Sequence, residues 1–169
     1  MELDVREAAP AEYEEAGRVT AEAYREFARA GEDGWAGYLA RIADVAERAS
    51  RTTILVAVEG DRILGSLTLE LDGRVRDEGD EEFRPLEPDE AHIRMLGVDP
   101  SARGRGVARA LMAETERRAR AAAKRVVTLH TTGRMRAAMA MYDRLGYERD
   151  EDVVFPDGFV LLGFRKTLA

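Results

Sequence analysis

Apolar positions along this chain change their period several times, and each change marks an element. Over Glu2–Arg6, Leu3 and Val5 alternate with polar neighbours, which predicts a short strand. After Pro10 the spacing of Tyr13, Ala16, Gly17, Thr20, Tyr24 and Phe27 follows one helical face, so a helix is expected over about residues 11–30. The run from Gly31 to Gly34 breaks it, and Trp35, Tyr38, Leu39, Ile42, Val45 and Ala46 resume the helical spacing to about Ala49. Thr52–Val58 and Arg62–Leu71 are β-rich, joined by the hairpin signal Glu59-Gly60-Asp61. In the second run Ile63, Gly65, Leu67, Leu69 and Leu71 alternate with Leu64, Ser66, Thr68 and Glu70, predicting a sheet with one more polar face.

Residues 72–89 form a long acidic segment bearing Gly and Pro, which reads as a solvated loop, or as an electrostatic lure for a cationic partner. Beyond it, Ala91–Val98 reads as a strand, stopped by Asp99-Pro100 because Pro donates no amide hydrogen and restricts the residue before it. An Ala-rich helix is expected from Gly104 or Arg105 to Ala123, a strand over Arg125–Thr131, and a helix over Arg134–Leu145 with Gly146 as its C-cap. Glu151–Phe155 and Phe159–Lys166 read as an antiparallel pair about Pro156-Asp157-Gly158. Order and lengths predict a mixed α/β sheet with helices on both faces.

Composition narrows the picture. At 169 residues, with 45% hydrophobic and 35% charged, one folded domain spanning 1–169 is expected. Zero cysteines exclude disulfides and a thiol nucleophile, and no metal site is expected. With no signal segment and no long apolar run, neither membrane insertion nor export is expected, and a cytoplasmic location is. A net charge of −7 argues against nonspecific nucleic-acid binding.

Locally the sign of charge reverses. Between Arg94 and Arg136 stand ten arginines and one lysine against only Asp99, Glu114 and Glu116. Within that basic stretch, Arg103-Gly104-Arg105-Gly106 leads into a helix, whose first N–H groups lack internal partners and sit at the positive end of the dipole. Phosphate is the natural guest of such a turn, with Gly104 and Gly106 letting it approach the main chain. The nucleotide P-loop is excluded because no Gly-Lys pair occurs, and the Rossmann fingerprint fails at Arg109.

Arg103-Gly104-Arg105-Gly106-Val107-Ala108 fits the Arg-x-x-Gly-x-Gly/Ala signature of the GNAT superfamily of acyl-CoA-dependent N-acyltransferases, and Leu96-x-Val98-Asp99-Pro100 resembles the strand that precedes it there. Ala138 with Met141-Tyr142-Asp143-Arg144-Leu145-Gly146-Tyr147 resembles the family's A-x-x-x-Y-x-x-x-G-F/Y segment. The resemblance implies a seven-stranded, mostly antiparallel sheet flanked by helices and splayed between its fourth and fifth strands. It also implies acetyl-CoA as co-substrate, with the diphosphate on the amides of Arg103, Gly104, Arg105, Gly106, Val107 and Ala108. The pantetheine would lie along Leu96, Gly97 and Val98, and Thr131 is a further candidate contact. Dimers are frequent among relatives, so a homodimer is one expected state.

The implied reaction is direct acetyl transfer to a primary amine, most readily of a small molecule, with a protein α-amine or lysine as another acceptor. A second reading is a catalytically silent acyl-CoA-binding module. Tyr142 is expected to protonate the departing thiolate, since a phenol of pKa ~10 can do so at a thiol near ~8.5. The base is His92 directly, Glu90 directly, or either through water, because relatives often carry Glu at the position of His92. His130 reads as structural, while Trp35 and Tyr38 read as core or as lining of the acceptor site. Met135 departs from the family pattern, standing where many relatives place an Asn near the pantetheine.

Overall fold

The structure, a computed structural model, describes residues 2–27, 35–72, 85–156 and 158–169. Most of the acidic segment, the Gly31–Gly34 break and Asp157 lie outside the described residues. Seven strands, β1 (Asp4–Glu7), β2 (Thr53–Glu59), β3 (Arg62–Glu70), β4 (Glu90–Val98), β5 (Val126–Thr131), β6 (Glu148–Val154) and β7 (Val160–Thr167), are ordered β1-β2-β3-β4-β5-β7-β6 in one sheet. The helices are α1 (Tyr13–Arg25), α2 (Trp35–Ala43), α3 (Val45–Ala49), α4 (Val107–Ala121) and α5 (Arg136–Arg144). Pairs β1–β2, β2–β3, β5–β7 and β6–β7 are antiparallel, and β4–β5 is parallel. The chain divides into two compact units, Met1–Leu69 with Met95–Thr115, and Glu70–Arg94 with Glu116–Ala169.

In the first unit, one face of β2–β3 supplies Ile54, Val56, Val58 and Ile63 to a core completed by Ala16 and Val19 of α1 and Val45 of α3. The helix expected over residues 11–30 is shorter at its start. Pro10–Glu12 forms a 3-10 turn in which the Glu12 carboxylate accepts the Ala9 amide at 2.8 Å, and α1 begins at Tyr13.

The single helix expected over Trp35–Ala49 is two helices. Asp44 leaves the helical region (φ −82°, ψ 68°), and its carboxylate accepts from the Glu47 amide to cap α3. Arg48, only 3% exposed, donates to the carbonyls of Arg41, Ile42 and Asp44 at 2.7–3.1 Å, a cation placed at the negative end of α2. Its Nε also donates to Thr68 at 3.0 Å, tying this corner to β3. A Cβ at Gly17 would stand 2.0 Å from the Ala43 carbonyl oxygen, so α1 meets the end of α2 only through a glycine. The polar face of β3 is correspondingly not a wet one. Ser66, Thr68 and Glu70 are all buried, with Thr68 accepting from the buried Arg48 and Glu70 from Arg94.

In the second unit, β5 pairs with β7 from Val126↔Thr167 to Thr131↔Leu162, and β7 pairs with β6. β6 starts at Glu148, three residues before the expected start. It ends the strand order, and an edge strand carries charge without penalty, so Glu-Arg-Asp-Glu-Asp hides a strand from an apolar pattern. Gly163 is required where β6 shifts register, since a Cβ there would lie 2.1 Å from the Glu151 carbonyl oxygen.

Candidate active site

The second half of β4 and the turn after it belong to the first unit. The parallel register with β5 covers Glu90↔Val126 to Ile93↔Leu129, and two residues further on Met95 is left-handed at φ 52°. A left-handed residue inside a strand re-aims the residues after it, as a bulge does. Leu96 and Val98 are half-buried, whereas Gly97 is buried against α1, where a Cβ would stand 3.0 Å from Thr20 Cα. Asp99 then closes the strand: its amide donates to the Leu64 carbonyl at 2.8 Å and its carboxylate accepts from the Ser101 amide at 2.9 Å. The Ser101 hydroxyl, which donates to the same carboxylate at 2.8 Å, together with the Ser101 amide and the nearby Arg62 guanidinium, holds the Asp99 carboxyl below its usual range.

The turn itself, Arg103–Gly106, is exposed. Gly104 and Gly106 sit at φ 77° and 80°, which is why α4 begins at Val107 rather than at Gly104 or Arg105. Neither glycine would bring a Cβ against another part of the protein, so the turn stays open on its outer side. The two turn arginines already hold carboxylates: Arg103 pairs with Glu26 at 2.7 Å and Arg105 with Glu59. Arg109 is exposed on the first turn of α4. Open amides at a helix start, glycines and exposed arginines fit a diphosphate group.

A different kind of chemistry occupies the second unit. Glu90, His92 and Arg94 recur at every second position of β4 and so share a face. Glu90 is 1% and His92 2% exposed. Thr128 lies directly across from His92 in the register and is buried as well. Its Oγ1 donates to Glu90 Oε1 at 2.5 Å and lies 2.8 Å from His92 Nδ1. The His130 ring packs 5.4 Å from that of His92, and Arg94 donates to Glu70 at 3.1 Å with both side chains largely buried. Glu90 and His92 are thus joined, but through a threonine that its setting in Val-Val-Thr-Leu presents as ordinary strand filler. Glu90, His92 and Arg94 could have been singled out as a polar row in a buried strand; only the β4–β5 register finds Thr128.

Tyr142, 5% exposed, is positioned by the end of α5. There the Gly146 amide donates to Asp143 O at 3.1 Å and the Tyr147 amide to Tyr142 O at 2.9 Å, with Gly146 at φ 89°. This is a Schellman motif, in which the residues three before and two after the cap also touch. The Tyr142 and Tyr147 rings are 5.9 Å apart, and Phe164 of β7 packs at the same distance on Tyr142. Burial raises the Tyr142 phenol above its usual range, so it is protonated throughout physiological pH. Thr131 is 4% exposed and its hydroxyl donates to the Met135 sulphur at 3.3 Å. Met135 precedes α5 as its N-cap without a side-chain cap. In the first unit Tyr38 stacks edge-on with Tyr24 at 6.4 Å and carries Arg41 over its ring; the Trp35 side chain lies outside the described residues.

These features converge on one class of protein. The model of the acetyltransferase (GNAT) family matches residues 11–147, and the chain belongs to that family. Solved structures share the fold: yncA of Salmonella typhimurium, solved with its cofactor acetyl-CoA, superimposes with a TM-score of 0.70 at 19% identity over 100% of this chain and 95% of that one. PaiA N-acetyltransferase of Thermoplasma acidophilum, solved with coenzyme A, has a TM-score of 0.75 at 12% identity over 99% and 100% of the two chains. Ribosomal-protein-alanine N-acetyltransferase of Brucella melitensis has a TM-score of 0.69 at 21% identity over 98% and 99%. No curated protein matches the chain. Among the described residues there is no cluster of candidate metal ligands, and no helix is long and apolar enough to cross a membrane.

Proposed function

We infer that this protein is an acetyl-CoA-dependent N-acetyltransferase that acetylates a primary amine of a small molecule, in a ternary complex and without a covalent enzyme intermediate. The observation that carries this reading beyond the family is the buried row Glu90–Thr128–His92. A carboxylate and an imidazole withdrawn from water cost several kcal/mol unless their hydrogen bonds are satisfied. A module that only binds an acyl-CoA has no use for them.

Bound acetyl-CoA would supply the activated acyl group. The amides from Arg103 to Ala108, with both guanidiniums of the turn, would hold its diphosphate, and the main chain of Leu96, Gly97 and Val98 would run beside its pantetheine. To receive phosphate, Arg103 and Arg105 exchange Glu26 and Glu59 for the ligand. His92 takes a proton from the attacking amine, with Glu90 behind it. Tyr142 gives its phenol proton to the departing sulphur: burial keeps the phenol protonated and available, and the same burial makes a thiolate there costly, which offsets the weaker acidity of the phenol. A Met at 135 offers no side-chain amide to the pantetheine, and the Thr131 hydroxyl, which donates to the Met135 sulphur, keeps its lone pairs to accept from the cofactor. A chain without cysteines that uses acetyl-CoA fits the cytoplasm.

Free-thiol release from acetyl-CoA, followed across a panel of primary amines, tests the reading. Amine-dependent release is expected. Tight CoA binding by calorimetry with no release from any amine, peptide α-amines and lysines included, would favour the silent binding module.

A further inference from the structure

Thr128 stands between two buried ionisable side chains and has a single proton to give. Its Oγ1 donates to Glu90 Oε1 at 2.5 Å and the Glu87 amide donates to Oε2 at 3.2 Å, so both carboxyl oxygens accept, as those of an ionised carboxylate do. An ionised carboxylate only accepts, so the hydroxyl proton is committed to Glu90. The same Oγ1 is 2.8 Å from His92 Nδ1, and a lone pair is all it has left to offer in that direction. The hydrogen in that second bond therefore belongs to Nδ1. We propose that Thr128 is a positioning residue: it holds neutral His92 in the Nδ1–H tautomer, so that Nε2 carries the lone pair and acts as the base.

This inference rests on His92 being the base of the proposed transfer, and it assigns to the chain a residue that touches neither substrate. Its atoms balance without any shuttle. As the amine attacks, one N–H bond of the amine breaks and an Nε2–H bond forms, making His92 an imidazolium. Thr128 keeps its proton and Glu90 stays a carboxylate. The positive charge is met through Nδ1–H and the hydroxyl dipole by the carboxylate behind it, so Glu90 stabilises the charged state without itself changing protonation. The arrangement is set by pairing: the parallel register places Thr128 opposite His92, and the two-residue period of β4 brings Glu90 to the same face. Among the described residues, the charged and titratable neighbours on this face include Glu90, the His130 ring, and the Arg94–Glu70 pair.

The test uses the intact protein and its Thr128→Val and Thr128→Ser variants. Valine keeps the branched shape and removes the hydroxyl; serine restores the hydroxyl alone. Because the chain contains two histidines, nitrogen NMR of the rings reads few signals. In the wild type the His92 ring is expected as Nδ1–H, and in Thr128→Val as Nε2–H. With the wrong nitrogen protonated, kcat is expected to fall about 10²- to 10⁴-fold with KM for acetyl-CoA unchanged, comparable to losing the general base outright. Thr128→Ser should recover most of the rate and the Nδ1–H tautomer. An Nε2–H ring in the wild type overturns the proposal, whatever the variants do. So does a valine variant with unchanged tautomer and rate, or a serine variant as impaired as valine. If no amine is acetylated by the wild type, the functional reading falls, and the wild-type tautomer still judges the role of Thr128.

Discussion

The turn at Arg103–Ala108 and the row Glu90–Thr128–His92 both manage charge, but in opposite surroundings. In the turn, guanidiniums that are nearly half exposed pair directly with Glu26 and Glu59, and glycines leave the backbone open. Water screens such pairs and lets them exchange partners at little cost, the property wanted where a phosphate must come and go. In the row, a carboxylate, a hydroxyl and an imidazole are sealed from water and each proton has one place to be. Exchange there is expensive, and orientation is held instead. Under the proposed function, a loose exposed binding site and a tight buried reactive one predict mutations of different kinds.

The largest effect belongs on the buried side. Tyr142→Phe should lower kcat by roughly 10² to 10⁴ while leaving the dissociation constant of CoA near its wild-type value. The converse, lost CoA affinity with kcat intact in steady-state assays, would return Tyr142 to a packing role beside Tyr147 and Phe164. At the turn the expectation is a pure binding effect. Gly106→Val forces a branched residue to φ 80°, costing on the order of 1–2 kcal/mol, and calorimetry should find CoA bound about tenfold more weakly or worse. The melting temperature should fall by no more than the backbone strain accounts for, about 2–8 °C, since a side chain there meets nothing else.

Smaller still, and of opposite sign, is the double change Glu26→Gln with Glu59→Gln. Freeing Arg103 and Arg105 from their carboxylates should tighten CoA binding about two- to fivefold at low salt, because exposed pairs are worth ~0–1 kcal/mol each. Titrations at rising ionic strength should erase the gain. Outside both regions, the Glu12 carboxyl is held down at about 2 by hydrogen bonds from Arg6 and the Ala9 amide. A lowered folded value means stability present above the ordinary value of 4.5 and lost as pH falls through about 2. The denaturant midpoint of wild type should exceed that of Glu12→Gln by an amount worth about 1 kcal/mol at pH 6, and the gap should close between pH 4.5 and 2.

The contrast also explains what could be read in advance. The turn is contiguous: proline, glycines, arginines and a helix start succeed one another, and local rules suffice to predict its geometry. Even there, the start of α4 moved to Val107, because two left-handed glycines cannot belong to a helix. The Schellman end of α5 was legible for the same reason, Gly146 standing where a left-handed residue is needed. Asp44 ended α2 against an unbroken apolar spacing, because the buried Arg48 that satisfies its last carbonyls reads as an ordinary charged surface residue. The early start of β6 was hidden by charge on an edge strand.

The order and kinds of the elements, the glycine turn and the tyrosine segment come from the sequence by itself, since period, backbone freedom and capping act over a few residues. What pairs with what was decided by the tertiary structure. Thr128 acquires its place opposite His92 only when β5 settles beside β4, and the left-handed Met95 in mid-strand has no signature in its own side chain. Register is a sum of contacts made by distant segments, and a single residue shift would turn each of these groups to the other face of the sheet.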